Sequence, residues 1–276
     1  MARCLAREAR TRITDEVSAM PLTHDILAPP RAAGADGSLL RQRSSVWLHG
    51  AGLSGATWAG MTADLPLARC PDLLGQGSTA LLDPPRVEAV ADALQPDLPP
   101  DAILIGHSLG GMVALELAAR PACGIAALVL VESVPTLRDT ISGRVSTALA
   151  TPMIRALGPR GLAWLSGLGQ SPETRAHLKA ELSRQSTASL LAALEAAGDY
   201  DGRPALSRVT VPTLVVVGRA NRSTHDGARD AAGAIPGAEF VMLAGGHMLQ
   251  TDNPAELRRT IDAFLAARLG RSGGCR

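Results

Sequence analysis

Five short apolar runs, each closed by turn residues and separated by stretches of helical character, constrain this chain more than anything else in it. They are Ser45–Leu48 before His49-Gly50-Ala51-Gly52, Ala102–Ile105 before Gly106-His107-Ser108-Leu109-Gly110-Gly111, and Ala127–Val131 before Glu132-Ser133. Thr213–Val217 ends at Gly218, and Glu239–Leu243 leads to Gly245-Gly246-His247. An apolar run this short, with no polar alternation, reads as a strand buried on both faces, and helices between such strands make parallel crossovers. The expectation is an α/β fold, a mostly parallel sheet with helices on both faces. Weaker strand candidates stand at Leu22–Leu27 and Ser38–Gln42.

Between Thr136 and Leu206 the pattern changes. Helical stretches follow one another (Ile141–Ala150, Pro159–Leu168, Pro172–Arg184, Thr187–Ala197) with no strong strand among them. Pro172 suits a first helical turn after Ser171, and Gly198 is expected to stop the last helix. An all-helical stretch between two sheet strands is read as a cap. The expected organisation is an N-terminal extension (1–19), a core in two parts (20–135 and 207–270), a cap (136–206) and a tail (271–276). A chain of 276 residues suits one large α/β domain with an insertion.

Composition narrows the function classes. Hydrophobic residues make up 46% and aromatics 2%, so the core must be built from Ala, Val, Leu and Ile. A net charge of +1 lacks the concentrated basic field that a nucleic-acid partner needs. Cys4, Cys70, Cys123 and Cys275 lie far apart with no CxxC pair, which predicts reduced thiols in a cytoplasmic protein rather than a metal site or disulfides. The longest apolar stretch, Ala114–Val131, is interrupted by Glu116, Arg120 and Pro121, so no membrane span is expected. The Arg-rich Met1–Val17 lacks the apolar segment of a secretory signal.

The chemistry centres on Gly106-His107-Ser108-Leu109-Gly110, a G-x-S-x-G after a strand and before a helix. A sharp strand-to-helix turn strains the serine backbone and exposes its hydroxyl above the sheet edge, which makes Ser108 the expected nucleophile. A serine hydroxyl needs a base. His247, on the loop after the last strand, is the best placed of the six histidines. His49 is expected to be structural and His107 to pack beside the elbow, with His24, His177 and His225 at the surface. Acyl transfer also needs backbone N–H groups facing the developing oxyanion. Leu109 offers one and Ala51, in the His49–Gly52 loop, the other.

Trp47-Leu48-His49-Gly50, Asp72-Leu73-Leu74-Gly75-Gln76-Gly77, Gly106–Gly111, Pro212–Gly218 and Gly246-His247, taken in order, resemble the α/β-hydrolase superfamily, and its small cap-bearing esterases and lactonases in particular. The resemblance implies an eight-stranded, mostly parallel sheet and a Ser–His–acid triad, and gives Asp72 a scaffold role. One position departs from the family. The triad acid usually follows the strand ending here in Gly218, and that place holds Asn221. An amide can hold an imidazole but cannot stabilise imidazolium; in a serine protease an Asp-to-Asn change at the triad acid costs about four orders of magnitude. The acid is therefore expected at Glu132, after the Ala127–Val131 strand. The other readings are Asp226, folding back from the Asn221 loop, or a weakened Ser–His–Asn arrangement.

The leading expectation is a serine hydrolase that cleaves a small-molecule carboxylic ester or lactone through an acyl-enzyme. It needs no cofactor or metal, has no nucleic-acid or membrane partner, and exists as a monomer or homodimer. The alternatives are a C–C bond hydrolase or lyase on the same scaffold, and a ligand-binding relative of low turnover. Trp164, Leu165, Leu168, Leu190 and Leu191 are candidates to line an apolar acyl pocket.

Overall fold

The computed structural model describes residues 38–270 apart from 78, 122, 139 and 140, with only the backbone of 141–148. In chain order the elements are α1 (Leu39–Gln42), β1 (Ser45–Leu48), α2 (Ala59–Thr62), β2 (Ala68–Arg69), α3 (Val87–Leu94), β3 (Ile103–His107), α4 (Leu109–Ala118) and β4 (Ala127–Val131). There follow α5 (Ile141–Ser166), α6 (Pro172–Leu182), α7 (Thr187–Asp199), α8 (Arg203–Leu206), β5 (Thr213–Gly218), α9 (His225–Ala234), β6 (Glu239–Leu243), α10 (Leu249–Asp252) and α11 (Pro254–Leu269).

The strands form one parallel sheet in the order β2-β1-β3-β4-β5-β6. That is six strands among the described residues, not eight. Of the two weaker strand candidates, Leu22–Leu27 lies outside the described residues. Ser38–Gln42 is helical instead: Leu-Leu-Arg-Gln contains no β-branched residue, and the Ser38 hydroxyl is held by Asp262 Oδ1 at 2.7 Å. The 1–19 extension and the 271–276 tail also fall outside the described residues.

Period-two alternation divides the core into two layers. Leu128 and Leu130 of β4 face α3 and α4, whereas Ala127, Val129 and Val131 join the layer under α11. Helix α4 is buried on nearly every side because it lies in the first of these layers. At the far end of the sheet the edge strand β6, with one neighbour, is half-buried from Glu239 to Met242 and buried at Leu243.

Everything from α5 to α7 is inserted between β4 and β5. Its neck is closed by an antiparallel bridge between Thr136 and Asp201 and by the Gly202 N–H donating to the Pro135 carbonyl at 2.8 Å. Helix α5 breaks at Gly158, where φ is 62° and Pro159 follows, so its first piece runs past Ala150 and through Pro152 to that kink. Ser171 caps α6 by accepting from the Thr174 N–H. Gly198 does not stop α7; the helix runs through Asp199 and ends where Tyr200 turns extended.

Cys70 is buried with its Sγ donating to Thr62 Oγ1 at 3.7 Å, and Cys123 Sγ donates to the Ala118 carbonyl at 3.8 Å, while Cys4 and Cys275 lie outside the described residues. Among the described residues no helix is long and apolar enough to cross a membrane.

Candidate active site

The strand order reverses direction between β1 and β3, and a crevice opens outside the carboxyl ends of strands at such a point in an open α/β sheet. Ser108 stands at the end of β3 with φ 51° and ψ −118°, a conformation that only a strongly determined turn holds in an L-residue. Two contacts from the end of β4 determine it. The Ser108 N–H donates to the Val131 carbonyl at 3.0 Å, and Ser133 Oγ donates to the Ser108 carbonyl at 2.9 Å. The turn is also too tight for side chains on either side: a Cβ on Gly106 would run into the Gly110 carbonyl, and one on Gly110 into the carbonyls of Leu48 and His49.

His247 lies on the loop between β6 and α10. That loop is pinned by the Gly246 N–H on Asp252 Oδ2 (2.7 Å) and by His107, whose Nε2 meets the His247 carbonyl at 2.8 Å. His107 is buried, and burial, with His247 beside it, pushes its imidazole down to about 3. It is therefore neutral, with its proton on Nε2. Its ring lies 4.9 Å from that of His247, centroid to centroid. His49 is fully buried and held below its usual range by that burial. Its Nδ1–H faces the Gly50 carbonyl at 2.8 Å and its Nε2 accepts from the Leu73 N–H at 2.9 Å, so it braces the turn after β1.

Glu132 follows β4 with φ 50°, and its side chain is fully buried. Oε2 lies 3.4 Å from His247 Nδ1 and accepts from Asn221 Nδ2 at 2.6 Å and Thr224 Oγ1 at 2.9 Å; Oε1 accepts from the Gly218 N–H. Asn221 Nδ2 also lies 3.0 Å from His247 Nδ1. The 3.0 Å contact is a hydrogen bond when Nδ1 is the unprotonated acceptor; with the proton on Nδ1, the carboxylate, an acceptor only, is its partner and Nε2 is left unprotonated.

Asp226 is remote from this cluster. Its side chain is 85% exposed and pairs with Arg229 at 3.2 Å, because it sits in the first turn of α9, pointing to solvent. His177 and His225 are half-buried rather than at the surface. His177 Nε2 lies 2.7 Å from Thr57 Oγ1 and His225 Nε2 lies 2.9 Å from the Gly218 carbonyl. His24 lies outside the described residues.

Leu109 opens α4, where a first-turn amide has no acceptor within its own helix. Ala51 is exposed on the facing loop. That loop is held by Asp72 Oδ1 on the Gly55 N–H (2.8 Å) and by Gln76 Oε1 on the Gly52 N–H (2.7 Å). Ala51, Leu109, Ser108 and His247 all border one cavity of about 450 Å³. Its remaining wall is apolar and comes largely from the insertion, with Ile154, Leu162, Leu178, Leu182, Leu190 and Leu194 prominent. Of the five residues expected to line an acyl pocket, Leu190 alone borders this cavity. Trp164 is 70% exposed and Leu168 54%, since they occupy the outer face of α5 and its end.

Gln76, Ser133 and Thr224 carry functional contacts that sequence reasoning did not assign. Gln76 sat inside a recognised motif, which was a usable signal; Thr224 had none.

A family model described as "Alpha/beta hydrolase family" matches residues 46–260. A pimeloyl-[acyl-carrier protein] methyl ester esterase of Aromatoleum aromaticum is 35% identical over 198 residues, covering 63% of this chain and 77% of that protein. An esterase of the same name from Vibrio vulnificus is 32% identical over 73% of this chain and 86% of its own length. Among solved structures, a thermophilic esterase from Thermogutta terrifontis shares the fold with a TM-score of 0.70 at 23% identity, over 82% of this chain and 90% of that one.

Proposed function

The chain belongs to the alpha/beta hydrolase family, and from that premise we propose that it is a serine esterase working through a Ser108–His247–Glu132 triad. The observation that carries this reading is the buried Glu132 carboxylate 3.4 Å from His247 Nδ1, on the same cavity as the strained Ser108 elbow. Nε2 of His247, unprotonated, takes the proton of the Ser108 hydroxyl as its oxygen attacks the ester carbonyl. Glu132 accepts the Nδ1–H and stabilises the imidazolium that forms. The N–H groups of Leu109 and Ala51 hold the oxyanion. The tetrahedral intermediate collapses as His247 returns its proton to the leaving alcohol, leaving an acyl ester on Ser108. Water, deprotonated by His247, then attacks that ester and releases the carboxylic acid.

The apolar wall supports an uncharged acyl chain as the part of the substrate that enters. The names of the curated relatives support a methyl or other small alkyl ester of a carrier-bound acyl group. In this reading the helices from Ile141 to Asp199 act as a cap over the cavity, and the scattered cysteines, with no CxxC pair, support a cytoplasmic setting.

Turnover of p-nitrophenyl butyrate tests the proposal. Ser108→Ala is expected to lower kcat/KM by about 10⁴-fold or more, and Glu132→Gln by about 10³- to 10⁴-fold, with both variants folded. Equal rates in wild type and Ser108→Ala would remove the enzyme reading.

A further inference from the structure

Asn221 stands where the family usually carries its acid, yet its side chain is engaged on all sides. Nδ2 donates to Glu132 Oε2 at 2.6 Å and lies 3.0 Å from His247 Nδ1, and Oδ1 accepts from Ser223 Oγ at 2.7 Å; the backbone N–H separately returns to the Gly218 carbonyl at 3.1 Å. The orientation of the amide follows from chemistry. With the amide reversed, its oxygen would face the carboxylate, acceptor against acceptor, and its NH₂ would face the Ser223 hydroxyl. Thr224 Oγ1 supports the same carboxylate oxygen, and the Gly218 N–H occupies the other.

We infer that Asn221 is a positioning residue for the proposed triad: a neutral donor that holds the Glu132 carboxylate against His247 Nδ1. The inference rests on Glu132 as the acid. A carboxylate at 221 would not restore a stronger triad. It would set two carboxylate oxygens about as close as the present 2.6 Å contact, where both cannot ionise freely. As that pair lost its shared proton, the added negative charge would favour imidazolium at His247 and remove the base at pH values where wild type works. Beside the imidazole stands His107 from the end of β3, held neutral by burial; on the adjoining backbone, Asp252 from α10 holds the Gly246 N–H and His225 from the start of α9 meets the Gly218 carbonyl. Arg219 and Arg222 are exposed on the loop that carries Asn221.

The test is the pH dependence of kcat/KM for p-nitrophenyl butyrate in wild type, Asn221→Asp, Asn221→Ala and Glu132→Gln, each checked for folding by circular dichroism. Asn221→Asp is nearly isosteric and is expected to move the acidic limb up by about one pH unit, a tenfold loss on that limb that recovers at alkaline pH. Asn221→Ala, which removes the donor without adding charge, is expected to lower kcat about tenfold at every pH with KM and the limb unchanged. If Glu132→Gln is crippled but the limb of Asn221→Asp stays in place, the positioning role falls and the triad stands. If Asn221→Asp gains rate while Glu132→Gln matches wild type, position 221 is the acid site and both readings fall.

Discussion

In the sheet, the side chains of β1, β3, β4 and β5 are buried from end to end. In the helical insertion, Leu149, Leu157, Trp164 and Leu168 face solvent while Thr174, Glu181 and Gln185 are buried. The tryptophans divide the same way: Trp47 and Trp58 pack together under the sheet with ring centroids 5.1 Å apart, and Trp164 lies on the outside of α5. The difference reflects two kinds of attachment. The sheet gains from non-directional burial, at about 25 cal/mol per Å² of apolar surface. The insertion meets the core through Ala193, Ala196 and Ala197 of α7, which join the layer over β4, through a small apolar cluster around Leu53 and Met248, and through directed polar contacts. Ser54 Oγ donates to Glu181 Oε2 (2.6 Å), Gln76 Nε2 to the Ser189 carbonyl (2.9 Å) and Thr174 Oγ1 to Asp252 Oδ1 (2.6 Å). Such bonds add only about 0.5–1.5 kcal/mol each, but they admit few alternative geometries. Burial therefore holds the scaffold, and hydrogen bonds register the cavity wall against the Ser108 edge. Gln76 joins the two functions, holding the Gly52 N–H with one end and α7 with the other.

Truncation on each side sharpens this contrast most. Leu104→Ala, in the middle of β3, is expected to lose about 2–5 kcal/mol of unfolding free energy in urea, with the activity of the remaining folded protein little changed. Glu181→Ala, which strands the Ser54 hydroxyl, is expected to cost about 1–3 kcal/mol and to raise KM for p-nitrophenyl butyrate. If Glu181→Ala destabilises as much as Leu104→Ala and leaves KM alone, the insertion is part of the core and the contrast is broken.

The second effect depends on acid. His107 is held down to about 3 by burial, whereas an unfolded histidine titrates near 6.5. As pH falls below 6.5 the unfolded chain binds a proton that the folded one refuses, so stability drops by about 1.4 kcal/mol per pH unit until the folded value is reached. His107→Gln is expected to flatten this part of the stability profile, measured by urea unfolding between pH 7 and pH 4.5. Parallel profiles for the two proteins would show that the acid sensitivity lies elsewhere. The smallest effect belongs to the exposed face of the insertion: Trp164→Ser is expected to change stability by less than about 0.5 kcal/mol, and a larger thermal shift would mean that the ring is packed.

Much of the scaffold was legible because its signals are local. Ser45–Leu48, Ala127–Val131 and Glu239–Leu243 have the bounds expected of them, since apolar runs and flanking turn residues act over a few positions. Strand β2 has only two residues and no periodicity to read. The Ser38–Gln42 segment misled because four residues do not separate a short helix from a strand.

The candidate site divides along the same line. A strand, two glycines and a helix within a few residues predict the elbow at Ser108, and the last loop points to His247. The environment of Glu132 is another matter. Glu132 and Asn221 are 89 residues apart and meet only because β4 and β5 run parallel with Val131 opposite Val216, which brings the Gly218 N–H and the Asn221 amide onto one carboxylate. Asp226 and Asn221 are near neighbours in the chain, yet one faces solvent and the other the histidine. Adjacent residues were enough to specify five of the six strands, the elbow and the oddity of an amide in the acid's place. Which carboxylate faces His247, and which insertion leucines wall the cavity, was decided by tertiary structure, because strand register and helix docking are set by packing across the whole sheet.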